Sequence, residues 1–341
     1  MGLPLAITGT GMVTGVGLSA PASCAAIRCA IDNFQETRFM DSGGEWIMGC
    51  EVPLEKPWRG RTKLIRMAAS AITEVLQGNA DIVPEQTPLL LCLAEQSRPG
   101  RVFEDDNQLF LDLQQELSLE FHEKSRVIAG GHVSVAIAFK HARELIHRLR
   151  IKHVIVAATD SLLVGPTLAH YEEAERLLTS NNSNGFIPGE AGAALVLESA
   201  AGKTGGYLRC EGLGFGVEKA HIDSEEPLKA VGLSAAIRES LGDAGKNERI
   251  LDFKITDISG GQYAFKESSL AFSRIDRTHR EEFDIWHPAD CIGEVGAAIG
   301  LVMAGVLKSA CEKEYTKGSS ILAHCGNDDG KRASMIYLWQ T

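Results

Sequence analysis

Runs of apolar and β-branched residues recur along the chain: LAITGTGMV (5–13), LLLCLA (89–94), HVIVAATD (153–160) and AALVLES (193–199) in its first part. The same texture returns as YLRCEGLGFGV (207–217), FKITDISG (253–260), ILAHCG (321–326) and ASMIYLWQ (333–340). Stretches with helical spacing separate them, so the pattern predicts an α/β layered protein with buried strands. Each half closes on a pair of strand-like runs, which points to an internal duplication into residues 1–202 and 203–341, jointed near AAGKTGG (200–206).

The segment after Gly131 carries the strongest helical signal. Val135, Ala138, Ala142, Leu145 and Leu149 form one apolar stripe at steps of three and four, widened by Ile137, Phe139 and Ile146. A helix apolar nearly all round is a core helix. Its second half turns basic (Arg143, His147, Arg148, Arg150, Lys152), which suits a C-terminus meeting solvent. His132 therefore stands at the N-terminus of a buried helix, where backbone N–H groups favour an anion and would activate a thiolate. A histidine there is expected to stay neutral.

Bulk properties narrow the function classes. A length of 341 residues suits two core units, and 44% hydrophobic with 23% charged residues is a globular composition. A net charge of −11 argues against nucleic acid or an anionic membrane as partner of the whole surface. There is no 18-residue apolar run to span a bilayer, no basic leader segment, and Ala6 where a myristoylation motif on Gly2 needs Ser or Thr, so a cytoplasmic location is expected. The eight cysteines (24, 29, 50, 92, 210, 291, 311, 325) include no CxxC pair and read as small buried hydrophobes of a reducing compartment.

Several candidate chemistries weaken on inspection. Gly9, Gly11 and Gly15 in GTGMVTGVG imitate a dinucleotide loop, but the acidic partner would be Asp32, which has no clear second strand before it. His141, His147 and His153 follow at steps of six, which does not gather three metal ligands on one helical face. Ser134 lacks the G-x-S-x-G setting. The acidic run Glu104, Asp105, Asp106 reads as a solvated loop rather than a cation site. No metal or cofactor is expected.

The loop NGFIPGEAGAALVLES (184–199) is more specific: Gly185, Phe186, Gly189 and Glu190 lead an ordered loop into an apolar strand. It resembles the "DGF-xx-GEGAG-x-LVLE" loop of the β-ketoacyl synthases of the thiolase superfamily. LAITGTGMVTGVG is similar to that family's opening "VVITGLGVVSPLG", GEVGAAIGLVMAGVL (293–307) to its "GHxxGAAG" helix, and CGNDDGKRASMIYL (325–338) to its closing "FGFGGxNAxLVL". The resemblance implies the thiolase-like fold: two similar α/β halves in a five-layered αβαβα arrangement. It also implies a dimer formed through a sheet edge of the first half.

That family uses a cysteine at the start of the central helix to hold an acyl thioester, and two histidines to drive decarboxylation of a malonyl carrier protein. Carried over by motif, the cysteine falls on His132, the first histidine on Gly260 and the second on Gly293, with Glu294 the nearest ionisable neighbour. The family's upstream lysine falls on Pro288, beside His287. The resemblance thus implies a synthase-like protein with its catalytic set replaced, acting as a scaffold, a chain-length-type partner subunit in a homodimer or heterodimer, or a secretion accessory protein. The alternative is an active acyltransferase of fatty acid or polyketide synthesis that uses His132 or Glu294 unconventionally.

One basic stretch stands out, KPWRGRTKLIR (56–66), with Lys56 and no acid inside it. Arg59, Arg61, Lys63 and Arg66 are candidates for receiving an acidic acyl carrier protein, as basic residues near this point do in the resembling synthases; the alternative is an ordinary solubilising surface at a helix start.

Overall fold

The computed structural model describes residues 3–276 and 282–341; Gly2, weighed above for myristoylation, lies outside them. The first half runs β1 (Leu5–Thr14), α1 (Ala20–Arg28), a ribbon of β2 (Gln35–Met40) and β3 (Trp46–Gly49), and α2 (Gly60–Gly78). It continues through β4 (Leu89–Leu93), α3 (Asp106–Leu117), β5 (Arg126–Ala129), α4 (Ser134–Arg143), β6 (Val154–Ser161), α5 (Gly165–Glu173) and β7 (Glu190–Ser199). The second half runs β8 (Tyr207–Val217), α6 (Val231–Asp243), β9 (Phe253–Thr256), α7 (Gln262–Ile275) and β10 (Ile285–Trp286). It closes with α8 (Ala289–Ile292), α9 (Ile299–Glu312), β11 (Ser320–Gly326) and β12 (Lys331–Gln340).

Among the described residues, ten strands form one sheet in the order β10-β9-β11-β12-β8-β1-β7-β6-β4-β5. Read outward from its middle, each side has the same pairings: two antiparallel steps (β1–β7–β6 and β8–β12–β11), then two parallel ones (β6–β4–β5 and β11–β9–β10). Within the sheet the two sides join where Leu5–Ile7 pair with Leu208–Cys210.

Strand alternation sets the layers. In β4, Leu90 and Cys92 face the central core with α4 and α9, while Leu89, Leu91 and Leu93 face α2 and α3. On the other side Leu322 and Ile336 face α6 and α7. The order α2/α3, sheet, α4/α9, sheet, α6/α7 is the expected five-layered thiolase-like fold. Strands sealed on both faces read as unbroken apolar runs, which is why β4 and β6 stood out so plainly. The central core takes in side chains from both halves, so residues 1–202 and 203–341 are not separate bodies.

Both central helices begin alike. A 3₁₀ turn, Gly131–Val133, precedes α4, and another, Gly296–Ala298, precedes α9; their glycines have φ of +58° and +54°. Position 132 thus corresponds to Ala297. The helix after His132 departs from its expected stripe at the far end: residues 144–148 are π-helical, the Leu149 N–H reaches back to the Glu144 carbonyl, and Leu149 is 55% exposed rather than buried.

Gly9 and Gly11 lie inside strand β1, where α2 packs closely against Gly11, which agrees with the reading against a phosphate loop. Seven cysteines are buried as expected, but Cys29 at the end of α1 is exposed. The acidic run has structural work: Asp105 caps α3 by accepting from the N–H groups of Asn107 and Gln108 (2.9 and 3.1 Å), and Asp106 pairs with Arg101. No helix among the described residues is long and apolar enough to cross a membrane.

Candidate functional site

His132 projects from the start of α4 into a cavity of about 360 Å³ lined largely by the second half of the chain. Its Nδ1 lies 2.9 Å from the Gly326 carbonyl oxygen and 3.2 Å from Asp257 Oδ2, and its Nε2 lies 2.9 Å from Glu294 Oε1. Every group facing the two ring nitrogens is an acceptor, so the ring donates from both as an imidazolium. Burial works against that charge, yet the Glu294 carboxylate, helped by Asp257, holds the His132 pKa well above its ordinary value. The neutral histidine expected from the helix start is thereby corrected: two carboxylates outweigh the unfavourable end of the helix dipole.

Glu294 is held as firmly. Its Oε2 accepts from the Ser259 hydroxyl (2.6 Å) and its Oε1 from the Gly296 N–H (2.9 Å). Burial would raise this carboxyl, but the His132 imidazolium and these hydrogen bonds bring it down to about 2. Its backbone is clamped by the loop that the sequence singled out: the Glu294 N–H donates to the Ile187 carbonyl and the Gly189 N–H to the Glu294 carbonyl, both at 2.8 Å. Gly293 has φ of +71° and would bring a Cβ to 2.6 Å from the Ile187 oxygen, so this position admits no side chain without strain. At Gly260 a Cβ would run into the Gly185 carbonyl. The side chains that stand at the site are therefore Ser259 and Glu294, each one residue away from a glycine to which a family histidine was assigned.

A second buried ion group backs the first. Arg98 donates from Nε and Nη2 to the two oxygens of Glu95, both at 3.0 Å, and lies 3.2 Å from Asp160 Oδ2. Asp160 in turn accepts from the Ala297 N–H at 2.8 Å, so it occupies the start of α9. Asn327 ties the α4 start down, accepting from the Val133 N–H (3.2 Å) and donating to the Gly130 carbonyl (2.9 Å). On the cavity wall Asp328 accepts from Tyr171 and Arg176, and Glu267 pairs with Arg332. Cys325 also lines the cavity, but burial pushes its thiol well above the ordinary range, which keeps it unreactive.

Asp257, Ser259, Arg98 and Glu95 were not foreseen. Asp257 and Ser259 sit in FKITDISG, read as strand throughout; β9 ends at Thr256, and the residues beyond it turn into the cavity. Pro288 opens α8, and neighbouring His287 stacks edge-on with Phe265 rather than reaching His132.

The basic stretch is not the free patch expected from its local sequence. Lys63 is buried and paired with Glu190, and lies 2.8 Å from Glu51; Arg61 pairs with Asp112, and Arg66 with Glu116 at 2.8 Å. The acids come from other segments, and of the four docking candidates Arg59 is exposed while Arg61 and Arg66 are half-buried. Glu190 belongs to this pair and also accepts from the Val52 N–H and the Ser161 hydroxyl, both at 2.8 Å.

Comparison of the sequence with protein-family models finds no match, and comparison with curated proteins finds none. Solved structures do match. A chain of the AntDE:AntF complex, a type II PKS acyl-carrier protein with its ketosynthase, gives a TM-score of 0.81 at 14% identity, over 99% of this chain and 100% of that one. The ishigamide ketosynthase/chain length factor gives 0.80 at 16%, covering 99% of both chains. A β-ketoacyl synthase from Burkholderia phymatum STM815 gives 0.74 at 16%, covering 100% of both. At these identities the likeness establishes the fold, which is the thiolase-like fold of the ketosynthases.

Proposed function

We propose that the chain is a ketosynthase-like protein of polyketide or fatty acid synthesis that has given up condensation and serves as the partner subunit of an active synthase. One observation carries this reading: His132, at the nucleophile position implied by the resemblance, is an imidazolium whose two N–H groups are both engaged, by Glu294 and by the Asp257–Gly326 pair. A protonated ring has no lone pair to attack a thioester, and Glu294 supplies an anion where decarboxylation to an enolate needs a donor. Gly260 and Gly293 contribute no side chain to replace the missing donors.

The neighbours' composition supports the partner role, since among them is a ketosynthase paired with a chain length factor. The division at residue 202 belongs to the same reading, as two diverged copies of one half. An acyl carrier protein docking on the 59–66 stretch would have to compete with the ion pairs that Arg61, Lys63 and Arg66 make within the chain.

The test is incubation with acyl and malonyl carrier protein, read by intact mass and by carbon dioxide release. Neither covalent acylation nor decarboxylation is expected from this chain alone. Turnover that disappears in His132→Ala would overturn the proposal.

A further inference from the structure

The second half carries a polar chain that the His132 network does not use. Lys254, on β9, is 2% exposed, and its Nζ donates to Ser268 Oγ at 2.8 Å. Ser268 Oγ lies 3.1 Å from His324 Nε2, and His324, 4% exposed, lines the cavity. An ammonium can only donate, so the serine oxygen accepts from Lys254 and its own proton goes to His324 Nε2. The imidazole proton then sits on Nδ1, for which the described residues offer no hydrogen-bond partner.

The charges around this chain are unbalanced. No carboxylate of the described residues pairs with Lys254, whose Nζ lies 5.2 Å from the centre of the Phe272 ring. Burial pushes the lysine down to about 8, which still leaves it mainly charged at neutral pH. Burial, together with Lys254 and Arg332, keeps His324 neutral. The acids nearby are already committed, Glu267 to Arg332 and Asp257 to His132 and the Gly326 N–H. A buried cation without a counterion, behind a donor without an acceptor, is a complement to an anion.

We propose that the cavity binds a small organic carboxylate, one oxygen accepting from His324 Nδ1–H, with the Lys254 ammonium behind Ser268 as its countercharge. Ile222, Leu233 and Ile258 line the same cavity and would take a short alkyl tail. The site needs no chemistry at His132, so it stands whether or not the chain condenses acyl groups.

Calorimetric titration of the full chain with sodium butyrate, and with butyramide at matched ionic strength, tests this. Saturable butyrate binding is expected, weakened about tenfold or more by Lys254→Met and by His324→Phe, with butyramide binding weaker by a similar factor. Ser268→Ala, which cuts the link without removing a charge, is also expected to weaken butyrate and serves if Lys254→Met fails to fold. In ¹⁵N-histidine spectra the His324 Nδ1 resonance should shift with butyrate. Absence of saturable binding, equal affinity for butyramide, or full affinity in His324→Phe would each overturn the proposal.

Discussion

His132 and Glu294, 162 positions apart in the chain, meet at 2.9 Å across the central layer, one from each half of the fold. The contact is an ion pair inside protein, and its worth lies in what happens when one member is removed.

His132→Ala leaves Glu294 buried without its cation, which is expected to cost about 3–5 kcal/mol in denaturant unfolding. Adding Glu294→Gln should recover a large part of that loss, giving a coupling energy of at least about 1 kcal/mol in the double-mutant cycle. Additive losses would show that the pair does not interact as described.

The pair also predicts a pH dependence. Glu294 titrates near 2 in the folded protein against an ordinary value of 4.5, so its contribution is complete above 4.5 and lost as pH falls through 2. His132 is raised well above its ordinary 6.5, so its contribution is complete below 6.5 and lost only as pH rises through the higher folded value. Urea unfolding from pH 5 to pH 2 should therefore cost the native chain more stability than His132→Gln/Glu294→Gln. Parallel pH curves for the two proteins would refute this.

Lys63→Ala is expected to destabilise the chain by about 3–5 kcal/mol, because Glu190 is left buried and unpaired. Arg59→Ala, at an exposed position, should stay within about 0.5 kcal/mol. Similar small effects for both would mean that the stretch is a solvated surface after all, as its local sequence suggested.

Alkylation of the native protein at neutral pH should modify Cys29 alone, since the other seven thiols are buried. Rapid modification of Cys325, counted by intact mass, would contradict the burial described for it.

The strands that sequence reading recovered are those sealed on both faces, such as LLLCL and the run from Val154, because burial leaves an apolar record. The edge strands Arg126–Ala129 and Ile285–Trp286 left little trace, being short and partly solvated. At the site, His132 and Glu294 were legible through their neighbouring glycines. Asp257, Ser259 and Arg98 were not, since each is defined by what the other half of the chain brings to it. The same holds for Lys63: no acid lies within its stretch, and its counterions sit at positions 51 and 190.

The matching starts of α4 and α9 have a bearing on how the cavity can change. The fold holds two sites with the same backbone geometry, yet the second is blocked by alanine and by Asp160 seated on its N–H. Any chemistry acquired by this chain must therefore be built around a single corner of a symmetric frame. A substitution at His132 would have to be accompanied by changes at Glu294 and Asp257, making the present state easier to keep than to leave.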